Sequence, residues 1–370
     1  MIREKTGLIC DPYFSASKVA WMLDNVAGAH ERAKNGELCF GTVETFLLAK
    51  FTGGKAHLTD VTNASRTMLM NLHTRNWDNE LLELFEIPKE ILPRIISNAE
   101  LAGITQNVPG LPDGIPITGF AGDQQAALIG QACFAAGEAK CTYGTGSFIL
   151  MNIGEQPKLS SAGCLTTVAY HIGKNLSFAF EGSSFVAGAM VQWLRDGLGI
   201  IKNAAEIEAL ANSVPDSAGV VVVPALAGLG CPHWKPNARG SLTGLTRGTT
   251  RAHIARATLE GIALSQYDIF QAMQQDLNSP LQNVKVDGGA AANNLLMQIQ
   301  ADCLQVALTR PQTLETTAFG AACLAGLGVG LWKNLEDIQK TWRAEKIFQP
   351  AEFPHELVKQ WNLALSPLQA

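Results

Sequence analysis

One aspartate stands where the local sequence could put it to chemical use. Residues 116–131 read Pro-Ile-Thr-Gly-Phe-Ala-Gly-Asp-Gln-Gln-Ala-Ala-Leu-Ile-Gly-Gln. An apolar, β-prone run reaches two glycines. Asp123, Gln124 and Gln125 follow, and then an alanine- and leucine-rich stretch of helical character. Open α/β sheets bind ligands at such strand-to-helix turns. A carboxylate there can take the proton of a substrate hydroxyl. Aspartate is also a favoured helix N-cap, so this segment alone leaves both readings open.

Three further stretches have the composition of a nucleotide site. Thr142, Tyr143, Gly144, Thr145, Gly146 and Ser147 read as a glycine-rich hairpin whose backbone N–H groups and hydroxyls could approach a phosphate. It is not a P-loop: the lysine is missing and a strand follows. A plain turn would look the same. Val286, Asp287, Gly288 and Gly289 end a strand on two glycines, and Asn293 opens the next helix. That turn offers a flat surface for a purine or phosphate, and Asn293 could cap the helix or bond a base. Gly188 and Gln192 lie four apart on one helix face, suited either to close helix packing or to an amide reading a base edge.

These segments need elements to hold them. The pattern predicts helices over residues 15–34, 40–51 and 77–85, with an irregular polar stretch at 58–70. Beyond a hinge near 134–137 it predicts a hairpin over 141–152 and a helix over 186–196. A buried strand follows at 219–224, then a long helix over 251–274 with Ile254, Ile262, Ile269 and Met273 on one face. A strand at 284–286, a helix with Ala292, Leu296, Ile299 and Cys303 along one stripe, and a last helix from about 317 complete it. Strands alternating with helices imply an α/β architecture.

Composition narrows the function classes. The chain has 370 residues, enough for two domains, is 47% hydrophobic and only 16% charged, and carries a net charge of −5. No basic run or basic-aromatic patch appears, so nucleic acid is not an expected partner. The eight cysteines are scattered with no Cys-x-x-Cys pair. They read as reduced core thiols of a cytoplasmic protein, and no metal site is expected, even at Cys231 and His233. The N-terminus lacks the apolar core of a signal peptide. The longest apolar stretch, at 320–332, is too short and glycine-rich to span a bilayer.

Taken together, these segments resemble the sugar and polyol kinases of the actin-like ATPase fold, the FGGY family, over essentially the whole chain. Tyr13-Phe-Ser-Ala-Ser-Lys-Val-Ala-Trp-Met-Leu-Asp-Asn25 looks like the family's first signature. Gly240-Ser-Leu-Thr-Gly-Leu245, running on to His253, Ile254 and Ala257-Thr-Leu-Glu260, looks like its second. Asp11-Pro12-Tyr13-Phe14, residues 62–67, Gly122-Asp123-Gln124-Gln125, residues 142–146, and Arg310-Pro311 with Glu315-Thr316-Thr317-Ala318 are similar to its glycerol-phosphorylating branch.

The resemblance implies two ribonuclease H-like domains, the first incomplete: residues 1–134, a nucleotide-binding domain over 138–330, and a helical tail over 331–370. It implies transfer of the ATP γ-phosphate to glycerol, giving sn-glycerol 3-phosphate and ADP, with Mg²⁺ as cofactor. Asp123 matches the family's catalytic base, and Tyr13 and Gln124 match glycerol contacts. Thr145 matches a phosphate contact, and Gly188, Gln192, Gly289 and Asn293 match the adenine-nucleotide pocket. A homo-oligomer, dimer or tetramer, is implied as well. Alternatives are a kinase of another sugar or polyol, or a non-catalytic nucleotide-binding paralogue.

Departures from the family pattern carry expectations too. Its opening Asp-x-Gly-Thr-Thr phosphate hairpin, a tryptophan and an Arg-Glu pair that grips glycerol have no match here, so the expectation is a chain that begins with the first domain already well under way, just before Gly7-Leu8-Ile9. The expectation is a truncated chain that alone is weakly active or inactive. Residues 110–114 lack the basic residue of the sugar-bisphosphate inhibitory site, so that regulation is not carried over. Asn63-Ala64-Ser65 fits a glycosylation sequon and is set aside.

Overall fold

A computed structural model describes residues 1–277 and 280–369 of the chain. Its organising element is a seven-stranded sheet. In spatial order the strands are Ala344–Phe348, Leu308–Pro311, Asn283–Asp287, Glu138–Tyr143, Ser147–Gly154, Asn175–Ser184 and Leu165–Ile172. Asn283–Asp287 runs parallel to both neighbours, and the other pairings are antiparallel. The predicted hairpin is present, with Tyr143 paired to Ser147 around Gly144–Gly146.

The long helix, Arg251–Leu277, packs on this sheet. Ile262, Ile269 and Met273 are fully buried in the largest hydrophobic core, while Ile254, one turn from the helix start, is half-buried. Leu296, Ile299 and Cys303 of the helix Asn294–Leu304 join the same core. Ala292 lies outside that helix, in a short 3-10 turn before it. The expected strand near 219–224 is Val221–Val223, and the helix expected at 186–196 is Gly188–Asp196.

Residues 1–130 depart more from the pattern. The single helix expected over 15–34 is two, Ser15–Asn25 and Ala29–Lys34, because Gly28 takes φ 74° and breaks the run. Its N-cap is Phe14, which offers no side-chain cap bond. Helix Val43–Phe51 starts later than expected and stops at Gly53 and Gly54, both with positive φ. The stretch taken as irregular holds a strand, Leu58–Asp60, and a turn of helix, Val61–Ala64, capped by Asp60. Helix Asn79–Leu84 is capped by Asp78. Short strands Arg94–Ile96 and Ala99–Ile104 had no clear alternation to reveal them.

The C-terminal segment is not wholly helical. Helices Leu335–Gln339 and His355–Gln369 flank a strand, Ala344–Phe348, that forms one edge of the main sheet. The chain therefore does not end on the helix that begins at Thr316. Six cysteines are buried, as core thiols would be, but Cys10 and Cys39 are exposed. Among the described residues no helix is long and apolar enough to cross a membrane.

Helix Asp123–Gly130 crosses helix Thr316–Gly328 at two glycines. A Cβ on Gly130 would sit 2.0 Å from the Thr316 carbonyl oxygen, and one on Gly320 would sit 1.8 Å from that of Ala126. Only hydrogen fits at the crossing.

Candidate active site

Strand Pro116–Gly119 runs through Gly122 into the helix, and Asp123 is the first helical residue. Its carboxylate is exposed, and the residue at the N-cap position is Gly122. Oδ1 accepts the Gln124 backbone N–H at 2.8 Å, and Oδ2 accepts Gln124 Nε2 at 3.0 Å. The cap reading fails because Gly122 holds the N-cap position. What remains is an acid oriented by its neighbour and open to a ligand.

The turn before Asp123 is fixed from below by Asp60, Thr62 and Asn98. The fully buried Asp60 accepts bonds from the Thr62 backbone N–H at 2.8 Å and from Asn98 Nδ2 at 2.9 Å. Asn98 Nδ2 also bonds the Phe120 carbonyl at 2.8 Å. Thr62 Oγ1 accepts the Gly122 N–H at 2.9 Å. The turn is thus tied on both sides to one buried polar network, which lies in a low dielectric and is fully engaged. Asp60, Thr62 and Asn63 were visible as polar residues in an apparently structureless stretch, which was the available signal.

Tyr13 lies on the same side. Its ring meets Phe14 edge-on at 5.3 Å, and the Arg66 guanidinium stacks over Phe14 at 5.3 Å. Arg66 Nη2 donates to Glu181 Oε1 at 2.7 Å. Partial burial pushes the Tyr13 hydroxyl above its ordinary value; Arg66 opposes this, while the charges of Glu181 and Asp123 add to it. Arg66 Nη1 and Glu181 Oε2 are buried without partners. Gln125 turns inward to Thr167 and Val168 and belongs to the packing.

The nucleotide-type residues converge on one cavity of about 440 Å³, whose wall includes Thr145, Gly188, Gln192, Gly289 and Asn293. Val191, Ile207, Leu259 and Leu296 make it largely apolar, with Arg195 and Glu208 as polar lining the sequence did not single out. The Gly188–Asp196 helix begins directly on the hairpin: the N–H groups of Gly188 and Ala189 reach the carbonyls of Gly144 and Thr145 at 3.0 Å each. A Cβ on Gly188 would stand 2.6 Å from the Gly144 oxygen, so this glycine both packs closely and lines the cavity. Thr145 is exposed, whereas Ser147 is buried and presents no donor outward.

Gly289 faces open space, with nothing within 4 Å of an added Cβ. Asn293 Oδ1 accepts the Leu296 N–H at 2.9 Å as a helix cap. Its Nδ2 is left to donate toward the cavity it lines. His233 bonds Asp268 at 3.1 Å and Gln369 at 3.0 Å through its two ring nitrogens.

The N-terminal domain of the FGGY family of carbohydrate kinases matches residues 1–130, and the C-terminal domain matches residues 139–329. The glycerol kinase of Myxococcus xanthus is 58% identical over 355 residues, 95% of this chain and 72% of that protein. The glycerol kinase of Bdellovibrio bacteriovorus is 54% identical over 99% of this chain and 74% of its own length. The crystal structure of Plasmodium falciparum glycerol kinase with ADP superposes with a TM-score of 0.92 at 37% identity, covering 99% of this chain and 74% of that one. Gluconate kinase from Lactobacillus acidophilus superposes with a TM-score of 0.87 at 25% identity, covering 100% of this chain and 75% of that one. The chain belongs to the FGGY family of carbohydrate kinases.

Proposed function

We propose that this chain transfers the γ-phosphate of ATP to a terminal hydroxyl of glycerol, giving sn-glycerol 3-phosphate and ADP. The observation that carries the reading is the open Asp123 carboxylate on a helix packed against the sheet whose hairpin edges the 440 Å³ cavity. The names borne by relatives at 58% and 54% identity supply glycerol as the acceptor. Asp123 accepts the hydroxyl proton as the oxygen attacks phosphorus, and the bond to ADP breaks on the opposite side. General-base help of this kind contributes roughly 10²–10⁴-fold.

Tyr13 and Gln124 orient the polyol by hydrogen bonds to its other hydroxyls, which rejects analogues lacking them. Thr145 and the hairpin N–H groups face the phosphates. Gly289 and Gly188 give the base a flat bed, and Gln192 and Asn293 present amides to its edge. Most of the barrier to phosphoryl transfer falls through positioning and charge neutralisation. Mg²⁺ belongs to that chemistry. When bound it would neutralise charge on the transferring phosphates, held mainly by those phosphates and water rather than by a dedicated protein cage; among the described residues no three carboxylate, imidazole or thiol groups come together. We further propose a cytoplasmic homo-oligomer, a dimer or tetramer, on the strength of the family resemblance.

The test is ATP-dependent phosphorylation by the purified chain across a panel of glycerol, pentuloses and gluconate, with ADP affinity measured in parallel. Glycerol is expected to give the highest kcat/KM, and Asp123→Asn to abolish turnover while ADP still binds. A higher kcat/KM for another acceptor would overturn the choice of substrate, and near-normal turnover by Asp123→Asn would overturn the assignment of the base.

A further inference from the structure

Beneath the Asp123 helix lies a lysine with no place in the scheme above. Lys140, in strand Glu138–Tyr143, is wholly buried, and burial pushes its ammonium below the ordinary value. It donates to Gln124 Oε1, to Thr142 Oγ1 at 3.0 Å and to the Phe148 carbonyl at 3.3 Å. An ammonium has three donors and accepts nothing, and these three bonds use all of them.

The donor-only character of Lys140 decides which way round the Gln124 amide sits. Its oxygen must face the lysine, so its nitrogen faces outward, where one Nε2–H meets Asp123 Oδ2 at 3.0 Å. The second Nε2–H remains for a ligand. A glutamine at a surface turn ordinarily samples several rotamers and both flips; here a buried cation fixes it in one. We propose that Lys140 is a positioning residue for phosphoryl transfer: it locks Gln124 as a donor only, and through Gln124 it holds the Asp123 carboxylate in one rotamer. The inference rests on the kinase reading and deepens it. The acceptor site then offers a fixed pair, one N–H donor and one carboxylate acceptor. It selects substrates with two neighbouring hydroxyls, one accepting from Gln124 while the other donates to Asp123.

The first test needs no turnover, and its reading on the native chain needs no mutation of the lysine. In the native chain the Gln124 side-chain N–H₂ resonances, assigned by their loss in Gln124→Met, are expected to be shifted away from solvent-exposed glutamine values and slowed in exchange. Lys140→Met is expected to return them to those values. The second test is a double-mutant cycle. Lys140→Met should weaken glycerol affinity and lower kcat, each about tenfold, the scale of a lost bond to a charged group, with ADP affinity kept within about twofold. In a Gln124→Met background the same change should add less than about twofold, since the pathway is already cut.

Solvent-like Gln124 resonances in the native chain would overturn the proposal, even if Lys140→Met does not fold. So would a Lys140→Met effect that is undiminished in the Gln124→Met background, or one that falls equally on ADP. If no variant, native included, phosphorylates a polyol while the Gln124 amide is locked, the kinase reading fails and with it the role in phosphoryl transfer, and only the locking of Gln124 by Lys140 stands.

Discussion

Gly288 and Gly289 are neighbours at the end of one strand, and a single added methyl is expected to have opposite effects at the two. Gly288 has φ 85° and ψ 168°, a region essentially confined to glycine, where another residue costs about 1–3 kcal/mol. Its Cβ would also stand 2.5 Å from the Tyr143 carbonyl oxygen and 2.8 Å and 2.9 Å from that residue's carbonyl carbon and nitrogen. Backbone held in a sheet cannot give way, which adds about 1–3 kcal/mol of overpacking. Gly288→Ala should therefore lose about 2–6 kcal/mol. Gly289 has no positive φ and nothing within 4 Å. Gly289→Ala should gain about 0.4–1 kcal/mol by narrowing the unfolded ensemble. Its methyl enters the wall of the 440 Å³ cavity, where displacing a base by part of an ångström costs about 1–2 kcal/mol, a roughly 5–30-fold weaker Kd. Thermal melting with ADP calorimetry reads both effects. At roughly 2–4 °C per kcal/mol, Gly288→Ala should melt at least about 4 °C lower while Gly289→Ala melts at or above the native Tm. A Gly289→Ala protein that melts low, or that binds ADP as tightly as the native chain, would refute the reasoning.

Three further changes test other parts of the structure. Gly320→Ala should destabilise by about 2 kcal/mol or more, since its Cβ would stand 1.8 Å from the Ala126 oxygen; a native denaturation midpoint would contradict the close crossing. Asn98→Ala leaves the buried Asp60 and the Phe120 carbonyl short of a donor and should lose about 1–3 kcal/mol together with glycerol affinity; stability and affinity both at native levels would show that the network does not hold the turn. Burial pushes Glu44 above the ordinary carboxylate range, with the charge of Asp60 adding to the rise, and burial likewise raises Glu260. The folded chain then keeps protons that the unfolded chain has released, so this contribution to stability is full below the ordinary carboxylate value and is lost as pH rises through the raised folded values. Denaturant midpoints across that window should show Glu44→Gln with a flatter slope, and an unchanged slope would refute the role of Glu44.

The residues of the candidate site stood out in the sequence more than the framework around them. Asp123, Thr145, Gly188, Gln192, Gly289 and Asn293 could be read because each sits in a short stretch of glycine, amide or hydroxyl residues at an element boundary. The family likeness then chose between the open readings. Asn293 turned out to be a cap and a cavity residue at once. Asp60, Asn98 and Lys140 were not legible, because their roles depend on contacts 38, 22 and 16 residues away in sequence. A buried lysine in a strand has no local signature, since nothing nearby announces the amide it will meet. The edge strand Ala344–Phe348 was hidden for a related reason: four of its five residues are exposed, and only Phe348 is buried against the core. Gly28 was legible in type, but its break of the helix depended on a positive φ that composition does not reveal.

The two halves of the site are joined through a pair of neighbouring strands. Glu138–Tyr143 carries Lys140, which holds Gln124 beside the acid, and three residues past Tyr143 the same chain has turned through Gly144, Thr145 and Gly146 at the cavity. Asn283–Asp287, parallel to it with Lys285 level with Lys140, repeats the arrangement. Lys285 Nζ donates to the carbonyls of Gln131 and Ala132 at 2.7 Å and 3.0 Å, where the Asp123 helix ends. A cation at a helix C-terminus is favourably placed against the helix dipole. At the end of that strand Asp287 takes bonds from Gln131 Nε2 at 2.6 Å and Thr316 Oγ1 at 2.7 Å, just before Gly288 and Gly289 turn under the cavity. One helix is therefore pinned at both ends by lysines of adjacent strands, and those strands end in the two glycine turns that edge the cavity. A shift of either strand would move Asp123 and the cavity wall together. If Asp123 is the base, the register between Glu138–Tyr143 and Asn283–Asp287 fixes how the acid stands relative to the cavity.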